Sequence, residues 1–279
     1  MAAKLNGESE ATSNTTNNGS GKSFSFSNTP TLEDLILCLP EWGYDGDTLP
    51  EMWPAIYKQC GGFNQSPVNI DMDRVVVNLK LIPPANAYIA IRDGGLGGTY
   101  RLRQCHFHWG LTDIQGTEHT LNEKQFALEL QCLHMNEKYS SESQALQMRD
   151  GFAALSVFYR ASSRPNPLLD KITIAMSAVR NSYSNETIHF GFPLSRLFPK
   201  NRGSYVRYFG SFTTPGCEEV VTWTVFTETQ KVNVLQTPLF RLMVEGPITD
   251  KEEVLILTNV RPLQSLNNRV IQGSRSFHP

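Results

Sequence analysis

The sequence predicts a single, mostly β domain with short peripheral helices. Several segments alternate apolar and polar residues with the two-residue period of a half-buried strand, whereas helical patterns are few and short. The chain also contains 20 glycines and 16 prolines, which is typical of a protein with many turns between strands.

Five segments carry the strand pattern, at residues 100–109, 126–133, 152–159, 220–226 and 254–257. The segment 152–159 is an unbroken apolar run, which predicts a central strand buried on both faces. Helical periodicity is found at 168–179 and 237–244. Both helices are expected at the periphery of the sheet.

The first 30 residues differ in composition from the rest of the chain. They are rich in Ser, Asn, Thr and Gly, so we expect a disordered polar tail that cannot bury enough apolar surface to fold. They also lack the apolar core of a secretory signal peptide, and a cytoplasmic location is therefore expected. From about residue 41 onward the composition is globular.

Charge and hydropathy exclude two classes of partner. The formal net charge is −2 and no Lys/Arg cluster is present, which argues against nucleic acid or an anionic membrane surface. No apolar run approaches the roughly 18–20 residues that a transmembrane helix needs.

Four of the six histidines lie between positions 106 and 134. His106 and His108 are two residues apart on a predicted strand, so both side chains point to the same face, which Gln104 shares. Two imidazoles on a rigid strand can begin a zinc site. An isolated pair of this kind is nevertheless more often packed in a core or exposed on a surface.

Six short motifs surround these histidines, and they occur in this order: Trp42-Gly43-Tyr44, Gln65-Ser66-Pro67-Val68-Asn69-Ile70, Gln104-Cys105-His106-Phe107-His108-Trp109-Gly110, Gly116-Thr117-Glu118-His119-Thr120, Ser211-Phe212-Thr213-Thr214-Pro215 and Asn259-Val260-Arg261-Pro262. In this combination the chain resembles the α-carbonic anhydrase family. The resemblance implies one domain over residues 41–277, built on a large, twisted, mainly antiparallel sheet with a metal at the bottom of a conical cleft.

In that family three neutral histidines hold zinc, and the metal lowers the pKa of a bound water to about 7 so that hydroxide can attack carbon dioxide. His106 and His108 match the first two ligands, but the position of the third holds Gln131. Because zinc prefers imidazole to an amide oxygen, the resemblance implies a zinc site that is weak or absent. His119 and His134 match histidines that are structural in the family.

The resemblance also assigns supporting residues around the metal. Gln104, Glu129 and Asn259 match residues that orient the ligands, and Glu129 is expected to accept a hydrogen bond from the Gln131 amide. Thr213 and Glu118 match the hydroxyl and carboxylate that orient the zinc-bound hydroxide.

An apolar wall for carbon dioxide is expected from Leu133, Ala154, Phe212, Val221 and Trp223, with Thr214 beside it. These residues can equally be read as packed core that the fold needs, and the sequence leaves both readings open.

Only 23 residues separate Ile70 from Gly94, fewer than the family usually has. The missing stretch normally carries an Asn-Gly-His turn whose histidine moves protons to solvent, and His189 and His278 match no such position. Fast turnover is not expected from this chain.

The five cysteines give conflicting indications of compartment. Cys60 and Cys217 match a disulfide of secreted family members, so secretion is the alternative to the expected cytoplasmic location, in which the two would be reduced thiols. Cys105 and Cys132 point away from the cleft and are expected in the core. The sequence gives no indication of a role for Cys38.

Three functions are therefore considered. The leading one is a carbonic anhydrase-related protein that is inactive or very weak and binds an unknown protein partner. The alternative is a zinc-dependent carbonate dehydratase that interconverts CO2 and bicarbonate with His106, His108 and Gln131 as ligands. An extracellular structural protein is a third class, based only on Cys60, Cys217 and four Asn-X-Ser/Thr triplets.

Overall fold

The computed structural model describes residues 49–67, 80–84, 86–179, 193–245 and 254–274, together with the backbone of Ala2–Lys4. Cys38, the motif at 42–44, residues 71–79, His189 and His278 lie outside the described residues. The disorder expected for 1–30 can be compared with structure only at Ala2–Lys4. That segment pairs in parallel with Lys80–Ile82, and the disordered tail stays a prediction.

The described residues form the strands β1 (Ala2–Lys4), β2 (Lys80–Ile82), β3 (Ala90–Ile91), β4 (Tyr100–Trp109), β5 (Leu128–Asn136), β6 (Phe152–Ser162), β7 (Tyr205–Gly210), β8 (Val221–Phe226), β9 (Gln230–Asn233), β10 (Val244–Glu245), β11 (Val254–Leu255) and β12 (Gln272–Gly273). Ten of them make one sheet in the order β1-β2-β4-β5-β6-β8-β7-β12, with β3 beside β4 and β9 beside β6. Most neighbours are antiparallel, but β1–β2, β6–β8 and β6–β9 are parallel. This architecture confirms the predicted fold class.

Helices occupy little of the described chain. They are α1 (Trp53–Ile56), α2 (Glu142–Ala145), α3 (Pro167–Val179) and α4 (Thr237–Phe240), with 3₁₀ turns at Pro50–Met52, Lys58–Gly61 and Leu194–Leu197. The predicted helix at 237–244 was too long, because Val244 leaves the helix to pair with Leu255. In this part of the chain no helix has the length and apolar character needed to cross a membrane.

The strands β4, β5 and β6 form the centre of the sheet, and alternation along them separates two faces. On one face, Phe107 and Trp109 pack against Phe240 of α4 with ring centroids 5.4 and 5.7 Å apart, in a core that also includes Leu169 and Ile172 of α3. His106 and His108 therefore project from the other face. Strand β6 is buried along most of its length, as its apolar run predicts.

Two disulfides cross-link the described chain. Cys60 and Cys217 are bonded, as the family resemblance implies. Cys105 and Cys132 are buried in the core as expected, and they are also bonded to each other, which was not predicted. The antiparallel register of β4 and β5 sets these two cysteines directly opposite each other, and that register cannot be read from a separation of 27 residues.

Candidate metal centre and cleft

The register of β4 and β5 assembles the predicted ligand positions. His106 is opposite Gln131, and His108 is opposite Glu129. All four side chains are buried, with relative exposures of 8% or less. The structure thus brings the two histidines and the glutamine to one place on the cleft face of the sheet.

The Gln131 amide joins two buried carboxylates. Its Nε2 donates to Glu118 Oε2 and to Glu129 Oε1, each at 2.9 Å. Its Oε1 lies 3.2 Å from His106 Nε2. Because an amide oxygen can only accept, the His106 Nε2 carries the proton of this bond. The expected contact with Glu129 is therefore present, but the amide oxygen is turned towards an imidazole N–H.

Glu129 is held by several donors besides Gln131. It accepts from the His119 backbone N–H at 2.9 Å, from His119 Nδ1 at 2.8 Å and from Ser156 Oγ at 2.8 Å. Burial alone raises the pKa of the Glu129 carboxyl, but the charge and hydrogen bonds of His119 outweigh burial and lower the pKa to about 2. His119 Nε2 lies 2.6 Å from the Tyr208 hydroxyl, so this histidine connects two elements of the fold.

His108 is oriented in a way that would suit a metal. Its Nδ1 donates to the Asn259 carbonyl at 2.6 Å, which leaves Nε2 with a free lone pair. That Nε2 is buried without a hydrogen-bond partner, 3.3 Å from Glu118 Oε2. Asn259 also clamps β4, since its side chain accepts from the Trp109 N–H and donates to the Phe107 carbonyl. Asn259 therefore holds both His108 and the adjoining backbone of β4.

His106 lacks the support expected from Gln104. Its Nδ1 is buried with no hydrogen-bond partner, so Gln104, which is half-buried, does not hold this ring. The register of β4 and β5 shifts between Leu102 and Gln104, an irregularity that sequence alternation does not reveal. Burial, together with the nearby positive charge of Lys80, lowers the pKa of His106 to about 3.

These side chains do not fit a three-imidazole zinc site. His106 Nε2 and the Gln131 oxygen are hydrogen-bonded to each other, whereas His108 Nε2 has no hydrogen-bond partner. No group of three His, Cys, Asp or Glu side chains in the described ranges converges so that it could hold a metal ion. Zinc binding would require the His106–Gln131 hydrogen bond to break and the His106 tautomer to change.

Thr213 and Glu118 are both buried, but they do not form the expected pair. Glu118 Oε1 accepts from the Arg261 backbone N–H, and Oε2 accepts from Gln131, each at 2.9 Å. No hydrogen bond joins these two described side chains.

The predicted apolar wall is assembled. Leu133, Ala154 and Trp223 are register partners across β5, β6 and β8, and they share one cluster with Val221 and Phe212. Thr214 is half-buried at the turn that leads to Cys217, whose N–H bonds the Thr214 carbonyl. A packed core would give the same contacts, so the choice between pocket and core stays open.

His134 lies on the core face of β5, opposite Leu102, as its offset from Gln131 predicts. It is buried, and this burial lowers its pKa to about 4.

Two residues of this network were not predicted. Ser156 is the register partner of Gln131, and Tyr208 bonds both His119 and Ser66. Only the pairing of the strands identifies them as part of this network, and that pairing is known once the fold is known.

Comparison with known proteins agrees with the fold. A family model described as eukaryotic-type carbonic anhydrase matches residues 77–275. Carbonic anhydrase 3 of Homo sapiens is 32% identical over 259 residues, covering 84% of this chain and 98% of that protein. Carbonic anhydrase 1 of Monodelphis domestica is 32% identical, with 84% and 97% covered, and carbonic anhydrase 15 of Mus musculus is 33% identical, with 84% and 83% covered. This chain therefore belongs to the eukaryotic-type, or α, carbonic anhydrase family.

Proposed function

We propose that this chain is a carbonic anhydrase-related protein that hydrates CO2 very slowly or not at all and acts by binding another protein. The observation that carries the proposal is the state of Gln131. Its amide bridges Glu118 and Glu129, and its oxygen is engaged by His106 Nε2. The position that should supply a third metal ligand instead stabilises the buried polar network.

The magnitude of the defect follows from general zinc energetics. A structural zinc contributes roughly 10–16 kcal/mol in peptide systems, so losing most of one of three protein ligands costs about 3–5 kcal/mol. That corresponds to an affinity lower by roughly a hundredfold to several thousandfold. Any hydrogen bonds of Gln131 that must break add to this cost.

A second candidate is a slow zinc-dependent carbonate dehydratase with His106, His108 and Gln131 as ligands. The favouring observation is His108, whose Nδ1–H is already fixed by Asn259 while its Nε2 lacks a partner. The apolar wall beside Leu133 is also retained.

We infer an oxidising compartment from the cysteines. Cys60–Cys217 and Cys105–Cys132 involve four of the five cysteines, and such bonds persist mainly in secreted proteins. This favours secretion over the cytoplasmic location expected from the N-terminal sequence. Intact mass after alkylation, with and without reductant, tests it: two disulfides give a mass increase for four extra alkyl groups only after reduction.

The experiment that separates inactivity from slow catalysis combines metal analysis with stopped-flow CO2 hydration. The protein is purified with zinc present, and His106→Ala serves as the matched background. We expect zinc well below one per chain and hydration equal to that background. One zinc per chain with hydration clearly above His106→Ala would support the dehydratase instead.

The binding role is tested separately by reciprocal affinity capture. A partner must co-purify at a fixed stoichiometry when either protein carries the tag. If repeated captures from the native tissue give no such partner, the binding part of the proposal fails.

A further inference from the structure

A cavity of about 320 Å³ lies at the edge of β7, where the short strand β12 ends. Three arginines line it: Arg149, Arg207 and Arg269. Arg207 and Phe209 alternate along β7 with Tyr208, whose hydroxyl faces His119 in the cleft network. The lining residues include neither of the cleft histidines nor Gln131, so this cavity is distinct from the candidate metal centre.

Two of the arginines are fixed in place by neutral oxygens. Arg207 donates from Nε and Nη2 to Thr224 Oγ1 at 3.0 and 2.8 Å, and from Nη1 to the Gly94 carbonyl at 2.7 Å. Arg269 donates to three backbone carbonyls, including that of Phe209 at 3.1 Å. Each terminal nitrogen carries two hydrogens, so each fixed guanidinium retains unused N–H donors.

Arg149 reaches the same place from the other side. Its guanidinium carbon lies 4.3 Å from the centroid of the Phe209 ring, whose backbone carbonyl binds Arg269. The side chain of Arg149 is exposed, and its five N–H donors are available. Phe209 therefore connects two of the three guanidiniums.

The positive charge around this cavity is poorly compensated. Among the described residues, no carboxylate lies within 4.0 Å of any of the three guanidiniums. Glu219 lowers the local potential near Arg269, but its oxygens accept from Asn64 and Gln65. Burial lowers the pKa of Arg207 and of Arg269, yet arginine remains protonated in proteins.

We propose that this cavity binds an oxyanion, namely the phosphate or sulfate group of a small ligand. Three cationic groups surround one space, two are held rigidly, and all present N–H donors that match the oxygens of such a group. The site goes beyond the function proposed above and does not depend on the state of the cleft.

The test uses the full chain in isothermal titration calorimetry at low ionic strength, with inorganic pyrophosphate and sodium sulfate as separate probes. Arg149→Gln is the test variant, because this exposed side chain can be changed with little effect on folding. The matched control is Arg103→Gln, an exposed arginine that pairs with Glu142 outside the cavity. His106→Ala separates the cavity from the cleft.

We expect saturable binding of one pyrophosphate per wild-type chain. Arg149→Gln should weaken it about tenfold or more, since one charge-assisted contact is lost, whereas Arg103→Gln and His106→Ala should leave it within about twofold. Arg149→Lys, which keeps the charge but loses the planar fork, should fall in between. Tighter binding of pyrophosphate than of sulfate identifies a phosphate ligand, and the reverse order a sulfate ester.

The proposal is overturned if neither probe binds saturably at about 10 mM. It is also overturned if Arg149→Gln and Arg103→Gln weaken binding equally, because the effect would then be general electrostatics. Loss of binding in His106→Ala alone would move the site to the cleft and refute the cavity.

Discussion

Replacing Gln131 by alanine would remove the link between two buried carboxylates. In the wild type, the Gln131 amide donates to Glu118 and to Glu129 and accepts from His106. After the change, Glu118 keeps one donor among the contacts described above, the Arg261 backbone N–H, while Glu129 keeps His119 and Ser156. The loss therefore falls mainly on Glu118 and on the His106 ring.

The size of this effect can be worked from the contacts. A hydrogen bond to a charged group contributes about 1.5–3 kcal/mol, and an unpaired buried polar group costs about 1–3 kcal/mol. Two bonds to carboxylates and one to His106 give a gross loss of about 4–9 kcal/mol, which water entering the polar space offsets in part. We expect the free energy of unfolding to fall by about 3–5 kcal/mol, with a melting temperature lower by about 10 °C.

Urea unfolding of wild type and Gln131→Ala, followed by tryptophan fluorescence, measures this difference. Gln147→Ala is the matched control, because Gln147 is exposed and its loss should change stability by less than about 0.5 kcal/mol. A loss below about 1 kcal/mol for Gln131→Ala would refute the reasoning, since the amide could not then be stabilising both carboxylates.

Three further predictions concern other parts of the fold. The folded-state pKa of His134 is about 4, below its ordinary 6.5, so stability is full above pH 6.5 and falls by about 3 kcal/mol as the pH drops to 4. His134→Leu should weaken the dependence of the free energy of unfolding on pH over that range. A variant with the same pH dependence as the wild type would contradict the prediction. The double variant Cys60→Ala, Cys217→Ala removes a cross-link between residues 157 positions apart. Chain entropy predicts that the free energy of unfolding in urea falls by about 5 kcal/mol. A fall of less than about 1 kcal/mol would show that this bond is absent or unimportant. Asn259→Ala leaves two backbone groups of β4 unpaired and should lower the free energy of unfolding by about 2–5 kcal/mol. A variant as stable as the wild type in urea unfolding would contradict this.

Period-two alternation was sufficient to predict the central strands. It placed β4 at its observed bounds and set His106 and His108 on one face, because side-chain direction in a strand depends only on position. Helix α3 was predicted to within one residue for the corresponding reason, a sustained helical period.

Pairing between strands could not be predicted in the same way. The Cys105–Cys132 bond and the contact of Ser156 with Glu129 depend on register between strands, which no local pattern encodes. Strand β7 was missed as well, because its six residues include the half-buried Arg207 among aromatic side chains.

The most consequential contact, from Gln131 to Glu118, joins a strand to a loop. The family resemblance identified both residues but not their hydrogen bond, because the bond depends on how the loop that carries Glu118 packs against β5.

Zinc affinity tests the central claim most directly. A competition titration against a chromophoric chelator gives the zinc dissociation constants of the wild type and of Gln131→His under identical conditions. If the amide is the main defect, Gln131→His binds zinc roughly a hundredfold to several thousandfold more tightly than the wild type. Equal affinities, within about threefold, would contradict the account and would move the defect away from Gln131.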